Sequence, residues 1–361
     1  MRIGILTFHA AHNYGAVLQC YALQTFLQSK GDDVSVIDYR NPKLLDFYKC
    51  FRKERFLRKN LLLMVWNLCR ELYYYRRRKQ RYDSFTHFIE TQLKLVGVDT
   101  IENNPFDVII VGSDQVWNTR LTRGFDQYYW GEFKRPPKTR LVTYAASMQD
   151  NWPKEQDGII AEKLQNFYKI SVREVSLAQK LHGLTGLCIQ NVVDPTLLLS
   201  PDDWERIAVK PQVPNHYLLL YQVDNSSRNE EIAQNVAAKY SLPIVHLSAD
   251  VVKDNSSSVC SASPAEFVGL FLYADFVICS SFHGTVFSLL FEKKFYSVRL
   301  EKNKNARVES LLSQLGLIDR FISEYNDRDD SYILDKVKFA DMISKSIVFL
   351  NQVAKNEEIN N

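Results

Sequence analysis

The chain has 361 residues, of which 46% are apolar and 24% charged, a composition that excludes a disordered chain and a length that exceeds one ordinary core. Two domains of roughly 150 to 200 residues are expected. Nothing approaches eighteen consecutive apolar residues, so no membrane-spanning helix is expected, and Met1-Arg2 leads straight into Ile3-Gly4-Ile5-Leu6 without a secretory h-region. The six cysteines (Cys20, Cys50, Cys69, Cys188, Cys260, Cys279) include no CxxC pair, which fits reduced thiols in a cytoplasmic protein better than a disulfide frame or a zinc site.

The net charge of +3 conceals an asymmetry. Residues 51–81 hold eleven Lys/Arg against two Glu, whereas the rest of the chain has 34 basic and 40 acidic residues.

In chain order, Ile3 to Phe8 reads as a buried strand and Ala16 to Ser29 as a helix closed by Gly31; Val34 to Tyr39 is a second strand. Long helical stretches follow, about Asp46 to Tyr75 and Arg81 to Thr91. Strands are predicted at Asp107–Val111, Arg140–Tyr144, Lys169–Val172 and Asn191–Val193. After Asp194-Pro195, read as a hinge, the alternation resumes. Strands Tyr217–Tyr221, Ile244–Leu247, Phe276–Ser280 and Lys294–Val298 are interleaved with helices Asn229–Tyr240, Pro264–Tyr273 and Gly284–Phe291. Strands alternating with helices imply parallel sheets covered on both faces. The fold class is therefore α/β, with two doubly wound Rossmann-like domains, 1–195 and 196–361, facing a cleft. The first carries a basic helical insertion at about 46–91. The polar tail from Ala354 to Asn361 is expected to fray.

Ligands of open parallel sheets sit beyond the carboxyl ends of the strands, where loops enter helix N-termini. Three polar clusters fall there. His9-Ala10-Ala11-His12-Asn13-Tyr14-Gly15 ends in a glycine that permits close backbone approach, and the following turn offers free N–H groups to an anion. It is not GxGxxG, so a dehydrogenase lacks support. An ordinary turn with Asn13 as N-cap explains the same residues. The cluster Gly112-Ser113-Asp114-Gln115-Val116-Trp117-Asn118 combines a carboxylate, an amide and an indole, a set suited to a sugar. In Ser280-Ser281-Phe282-His283-Gly284-Thr285, His283 is placed to act as general acid or base, and the helix start at Thr285 suits phosphate. Arg173, with Glu174 beside it, ends another strand and suits bidentate recognition of a carboxylate or phosphate. Asn305 and Arg307 precede a further helix and are placed to reach the same cleft.

Together these segments resemble the polysaccharide pyruvyl transferase family. The matching stretches are ILTFHAAHNYGAVLQCYAL, DVIIVGSDQVWN, SVREVSLAQKL, VVDPTLLL, SSFHGTVFSLLFEKKF and NARVESLL, in family order from about residue 3 to 320. The resemblance implies a GT-B-like fold and transfer of pyruvate from phosphoenolpyruvate to two sugar hydroxyls, forming a cyclic ketal in surface polysaccharide or exopolysaccharide biosynthesis. It implies His283 and Arg173 as catalytic residues. Arg173, Ser281, His283, Gly284, Thr285 and Arg307 are expected to hold the donor. Asn13, Tyr14, Gly15, Ser113, Asp114, Gln115 and Trp117 are expected to face the acceptor. The segment reads Arg-Glu where Arg-Asp is common, and Asn13-Tyr14-Gly15 replaces the Gly-Asp pair of some branches.

No cofactor or metal is expected besides phosphoenolpyruvate as donor, and the partner is a sugar or lipid-linked oligosaccharide. Nucleic acid is not expected, because the positive charge is confined to one insertion. That insertion fits either a helix contacting the inner face of a membrane or a hairpin packed on the first domain. The continuity of Leu61 to Trp66 favours burial. The competing readings are a GT-B glycosyltransferase using a nucleotide sugar, and a non-catalytic carbohydrate-binding protein of the same pathway.

Overall fold

The computed structural model describes residues 1–50, 61–148, 152–223, 226–248, 258–259, 261–300, 305–327 and 329–355. Five parallel strands, β1 (Arg2–Leu6), β2 (Asp33–Ile37), β3 (Leu95–Val96), β4 (Val108–Val111) and β5 (Arg140–Thr143), form a sheet in the order β3-β2-β1-β4-β5. A parallel pair, β6 (Ile170–Val172) and β7 (Ile189–Asn191), continues it beyond β5 through the bridges Val142–Lys169 and Ala146–Val172. The second sheet contains β8 (Leu218–Gln222), β9 (Ile244–Ser248), β10 (Ser258–Val259), β11 (Phe276–Cys279), β12 (Lys294–Val298) and β13 (Phe321–Ile322). All are parallel, in the order β10-β9-β8-β11-β12-β13.

Both sheets thus reverse direction once, between β1 and β4 and between β8 and β11. Such a reversal opens a crevice at the carboxyl ends of the two strands. The central strands β4 and β11 are buried at every residue, as their unbroken apolar runs Val108-Ile109-Ile110-Val111 and Phe276-Val277-Ile278-Cys279 require of parallel strands covered on both faces.

One apolar core runs across both halves. Tyr14, at the start of the Tyr14–Ser29 helix, stacks on Phe267 of the Pro264–Leu272 helix with ring centroids 4.4 Å apart. Its hydroxyl donates to the Ala262 carbonyl at 2.8 Å. Trp204 is fully buried between Tyr21 and Phe287, and the C-terminal helix Lys336–Lys355 returns to the first sheet, where Ser346 Oγ accepts from Val193 N–H at 2.9 Å.

The region after β2 differs from expectation. In place of a helix over 46–75 there is a short helix Pro42–Leu45 and a turn at Asp46–Tyr48. Residues 51–60, with five of the eleven basic residues of 51–81, lie outside the described residues. A single helix Leu61–Gln92 then spans what the sequence pattern splits into two. The reason is local: no glycine or proline interrupts it, and Arg78 pairs with Glu71 two turns earlier on its buried side. Its second half is clamped between the domains, with Arg81 Nη1 donating to Ser248 O at 3.0 Å and its guanidinium over the Tyr14 ring. Its first half is not buried, contrary to the reading of Leu61 to Trp66. Leu62 is 81% exposed and Trp66 59%.

Among the described residues, no helix is long and apolar enough to cross a membrane. Phe267 touches Tyr14, Tyr221, Phe271 and Phe287 and is fully buried. Truncating Phe267 to alanine should cost about 3–5 kcal/mol. Urea unfolding checks this; a cost below about 1 kcal/mol would show that the shared core is not cooperative.

Candidate active site in the interdomain cleft

A cleft of about 770 Å³ lies between the two switch points. The first domain lines it with Phe8, Ala11, Asn13, Leu44, Phe47, Tyr48, Asp114, Gln115 and Leu121. The second contributes Tyr221, Val223, Ser280, Ser281, Phe282, His283, Asn305 and Arg307 among others. Seven of the residues singled out from sequence therefore meet here: Asn13, Asp114, Gln115, Ser281, His283, Asn305 and Arg307.

His283 stands in the first turn of the Phe282–Leu290 helix, which begins two residues earlier than predicted. Ser281 is the reason, because its Oγ caps the Gly284 N–H. Asn13 caps the Tyr14–Ser29 helix, accepting from Ala16 N–H at 3.3 Å, while also lining the cleft. Asp114 has a left-handed backbone (φ 68°), tolerated by aspartate, and its Oδ1 accepts from Gln115 N–H at 2.8 Å.

Behind the cleft is a buried charge cluster centred on Asp194. Its Oδ1 accepts from Thr196 N–H at 3.0 Å and from Thr196 Oγ1 at 2.7 Å. Its Oδ2 receives Arg173 Nη1 at 2.5 Å and Ser113 Oγ at 3.3 Å, and lies 3.5 Å from His283 Nε2. That last distance couples the charges but is long for a hydrogen bond. Burial alone would raise the Asp194 carboxyl; His283, Arg173 and Thr196 outweigh it and hold the group well below the ordinary aspartate value. Arg173 is pulled down by burial but held above its usual value overall by Asp194, Glu174 and Asp114. Burial pushes the Glu174 carboxyl up, against Arg173 and a 2.7 Å bond from Ser147 Oγ.

The cluster is not closed. Arg173 Nη2, Glu174 Oε2 and His283 Nε2 are buried without a hydrogen-bond partner among the described residues. Arg307 forms no ion pair among the described residues. Burial, then repulsion from Arg173, lowers its affinity for its proton. Arg173 and Arg307 both face the Phe282 ring, at 4.6 and 5.9 Å, and both line a second pocket of about 210 Å³ on the far side of it.

Several sequence expectations are corrected by this geometry. Trp117 is fully buried, stacked on Trp130 at 5.1 Å and donating Nε1–H to Tyr129 O. It is a core residue, not an acceptor platform. Tyr14 is spent on the interdomain core. Gly15 does permit close approach, but to His283: a Cβ there would lie 1.9 Å from the ring Nδ1. Ser113 is fully buried beside Asp194, and the Thr285 side chain turns inward to Ser281 O and Ser297 Oγ. Gly284 packs on Cys279 and Tyr221. Asp194, read as a hinge, is the residue that sequence reasoning missed. Its Asp-Pro-Thr context signals a capped turn, and its three other partners are far away in the chain.

Fold and site define a two-domain α/β protein with a ligand cleft at two facing switch points. The chain belongs to the polysaccharide pyruvyl transferase family, whose pattern it matches over residues 13–301. It is thus a transferase of polysaccharide biosynthesis that acts on a sugar-type acceptor. Among solved structures it is similar to UDP-GlcNAc 2-epimerase from Neisseria meningitidis bound to UDP-GlcNAc (10% identity, TM-score 0.48, 98% of this chain and all of the other covered). It is also similar to the UDP-GlcNAc 2-epimerase from Methanocaldococcus jannaschii (11%, 0.44, 95% and 92%) and to E. coli heptosyltransferase WaaC with ADP-2-deoxy-2-fluoro heptose (9%, 0.39, 97% and 100%). No curated protein matches the sequence.

Replacing Asp194 with asparagine leaves Arg173 buried without its main counter-charge and should cost about 3–5 kcal/mol at neutral pH. A depressed carboxyl stabilises the fold above its unfolded pKa, about 3.9, and loses that contribution as pH falls through the lower folded value. The gap in melting temperature between wild type and Asp194→Asn should therefore narrow below about pH 4. A gap independent of pH would show that the carboxylate is not charged in the folded state.

Proposed function

We propose that this protein transfers the pyruvyl group of phosphoenolpyruvate to two hydroxyls of a sugar, forming a cyclic ketal without a cofactor. The observation that carries the reading is Arg307, a half-buried cation with no ion pair among the described residues, beside the Nη2 of Arg173, which makes no hydrogen bond among them, and the N-terminus of the His283 helix. Two guanidiniums that raise each other's energy call for an anion between them. Phosphoenolpyruvate brings two anionic groups, a phosphate and a carboxylate. Arg307 and the helix start hold one, and the free edge of Arg173 the other.

His283 then gives its proton to the methylene carbon of the donor, making an oxocarbenium-like centre at the adjacent carbon. One sugar hydroxyl bonds to that carbon and returns its proton to His283. The carbon–oxygen bond to phosphate breaks with its electron pair, the second hydroxyl closes the ring, and its proton leaves with phosphate. Asp194, 3.5 Å from Nε2, orients the imidazole without touching substrate. Asn13, Asp114 and Gln115, on the opposite wall, are the acceptor contacts.

Phosphoenolpyruvate at about 100 times its dissociation constant adds about 2.7 kcal/mol to stability, a rise of several degrees in melting temperature. The rise should vanish in Arg307→Ala. A rise with nucleotide sugars alone would make the protein a glycosyltransferase instead.

His283→Ala should lower turnover by about 10²- to 10⁴-fold with donor binding retained. Gly15→Ala, which drives a methyl into the His283 ring, should lower it by about 10²-fold. Full turnover in both variants would remove His283 from the chemistry.

A further inference from the structure

The exposed half of the Leu61–Gln92 helix is unlike the rest of the surface. Leu62, Val65, Trp66, Cys69, Leu72 and Tyr73 recur at three- and four-residue spacing and so form one stripe, and every one of them is exposed. Leu62 is 81%, Tyr73 67%, Leu72 60% and Val65 50% accessible. An apolar stripe this long on water marks a contact surface.

What covers it is indicated by charge. The stripe runs at its C-terminal end into the exposed Arg76 and Arg77, ahead of the buried Arg78–Glu71 pair and the Lys79–Asp83 pair, and Arg70 lies over the Trp66 ring with Cζ 5.3 Å from the centroid. Acidic residues are almost missing: residues 61–81 contain six Lys/Arg and one Glu, Glu71, which is neutralised internally by Arg78. Outside residues 51–81 the chain is net acidic, so the excess positive charge is confined to that segment of the sequence. Apolar residues, an arginine-backed Trp and tyrosines beside a basic collar match the boundary between acyl chains and anionic head groups.

We propose that this helix docks the protein on an anionic bilayer surface, with the Leu62–Tyr73 stripe in the interface and the basic collar against the head groups. The same helix continues into the site. Tyr82 packs at a tilt against His12, ring centroids 4.2 Å apart, next to Asn13 at the cleft wall, about 24 Å along the axis from Trp66. Docking by the first half therefore holds the cleft a fixed distance from the bilayer, suited to an acceptor anchored in lipid. The proposal does not depend on the donor assignment.

Trp66 gives a direct readout. The chain has five tryptophans, and the other four, Trp117, Trp130, Trp152 and Trp204, are buried. Mixing the full-length protein with vesicles of phosphatidylglycerol and phosphatidylcholine should shift the emission to the blue and co-sediment the protein. Pure phosphatidylcholine vesicles should do neither. Arg76→Glu with Arg77→Glu should weaken binding by at least tenfold, each basic residue being worth about fivefold. Val65→Ser with Trp66→Ser and Leu72→Ser should abolish binding while leaving the far-ultraviolet circular dichroism and the cooperative thermal transition of the free protein intact, which shows that the variant folds. No co-sedimentation of wild type with anionic vesicles at low salt would overturn the proposal. So would self-association in sedimentation velocity that the triple variant loses, because a second copy would then be the occupant.

Discussion

The buried carboxylate of Asp194 is the constraint around which the two halves of this protein are arranged. A charged group taken out of water is tolerated only if neighbouring charges and donors replace the lost hydration. Here the replacements come from four separate places: Ser113 after β4, Arg173 after β6, Thr196 in the following turn and His283 after β11. Each is fixed to a strand end or a helix start, so satisfying one carboxylate sets the relative position of both switch points. The turn Pro195–Leu198 that follows is packed under the Tyr14–Ser29 helix and against the C-terminal helix. Connection between domains and charge node are thus the same few residues.

The same arrangement separates structural charge from functional charge. Arg173 is largely committed: Asp194 takes one terminal nitrogen and Glu174 lies 3.4 Å from Nε. Its Nη2 makes no hydrogen bond among the described residues and lies 3.9 Å from Asp114 Oδ1. Arg307 is the complement, with a full positive charge and no fixed counter-ion among the described residues. One arginine is held rigidly by carboxylates and the other is not.

Much of this was legible in the sequence because it is local. Alternating apolar runs and helix caps marked the strands and most helices, and strand ends followed by polar residues pointed to His283, Asp114, Gln115 and Asn13. What was not legible is pairwise and distant. Asp194 is 21 residues from Arg173, 81 from Ser113 and 89 from His283, while its nearest bond, to Thr196, has the form of an ordinary capped turn. Trp117 misled for the converse reason: a polar neighbourhood in sequence surrounds a side chain whose own partners, Trp130 and Phe167, come from elsewhere. Leu61 to Trp66 misled because an unbroken apolar run reads as core. Here the Leu61–Gln92 helix extends past the surface that buries its other half.

Gly15 connects these levels. Its missing side chain lets the Tyr14–Ser29 helix press against the imidazole of the other domain, and any larger residue would separate the halves or tilt the ring. The glycine that a sequence reader assigns to ligand approach is therefore a spacer between two protein surfaces. It keeps His283 close to Asp194 and Tyr14 stacked on Phe267 in one register. The placement of the imidazole and the interdomain packing meet at that single position, so a change that loosened the packing would also move the His283 ring. The cleft is consequently a product of how the domains close on each other, and its chemistry cannot be assigned to either domain alone.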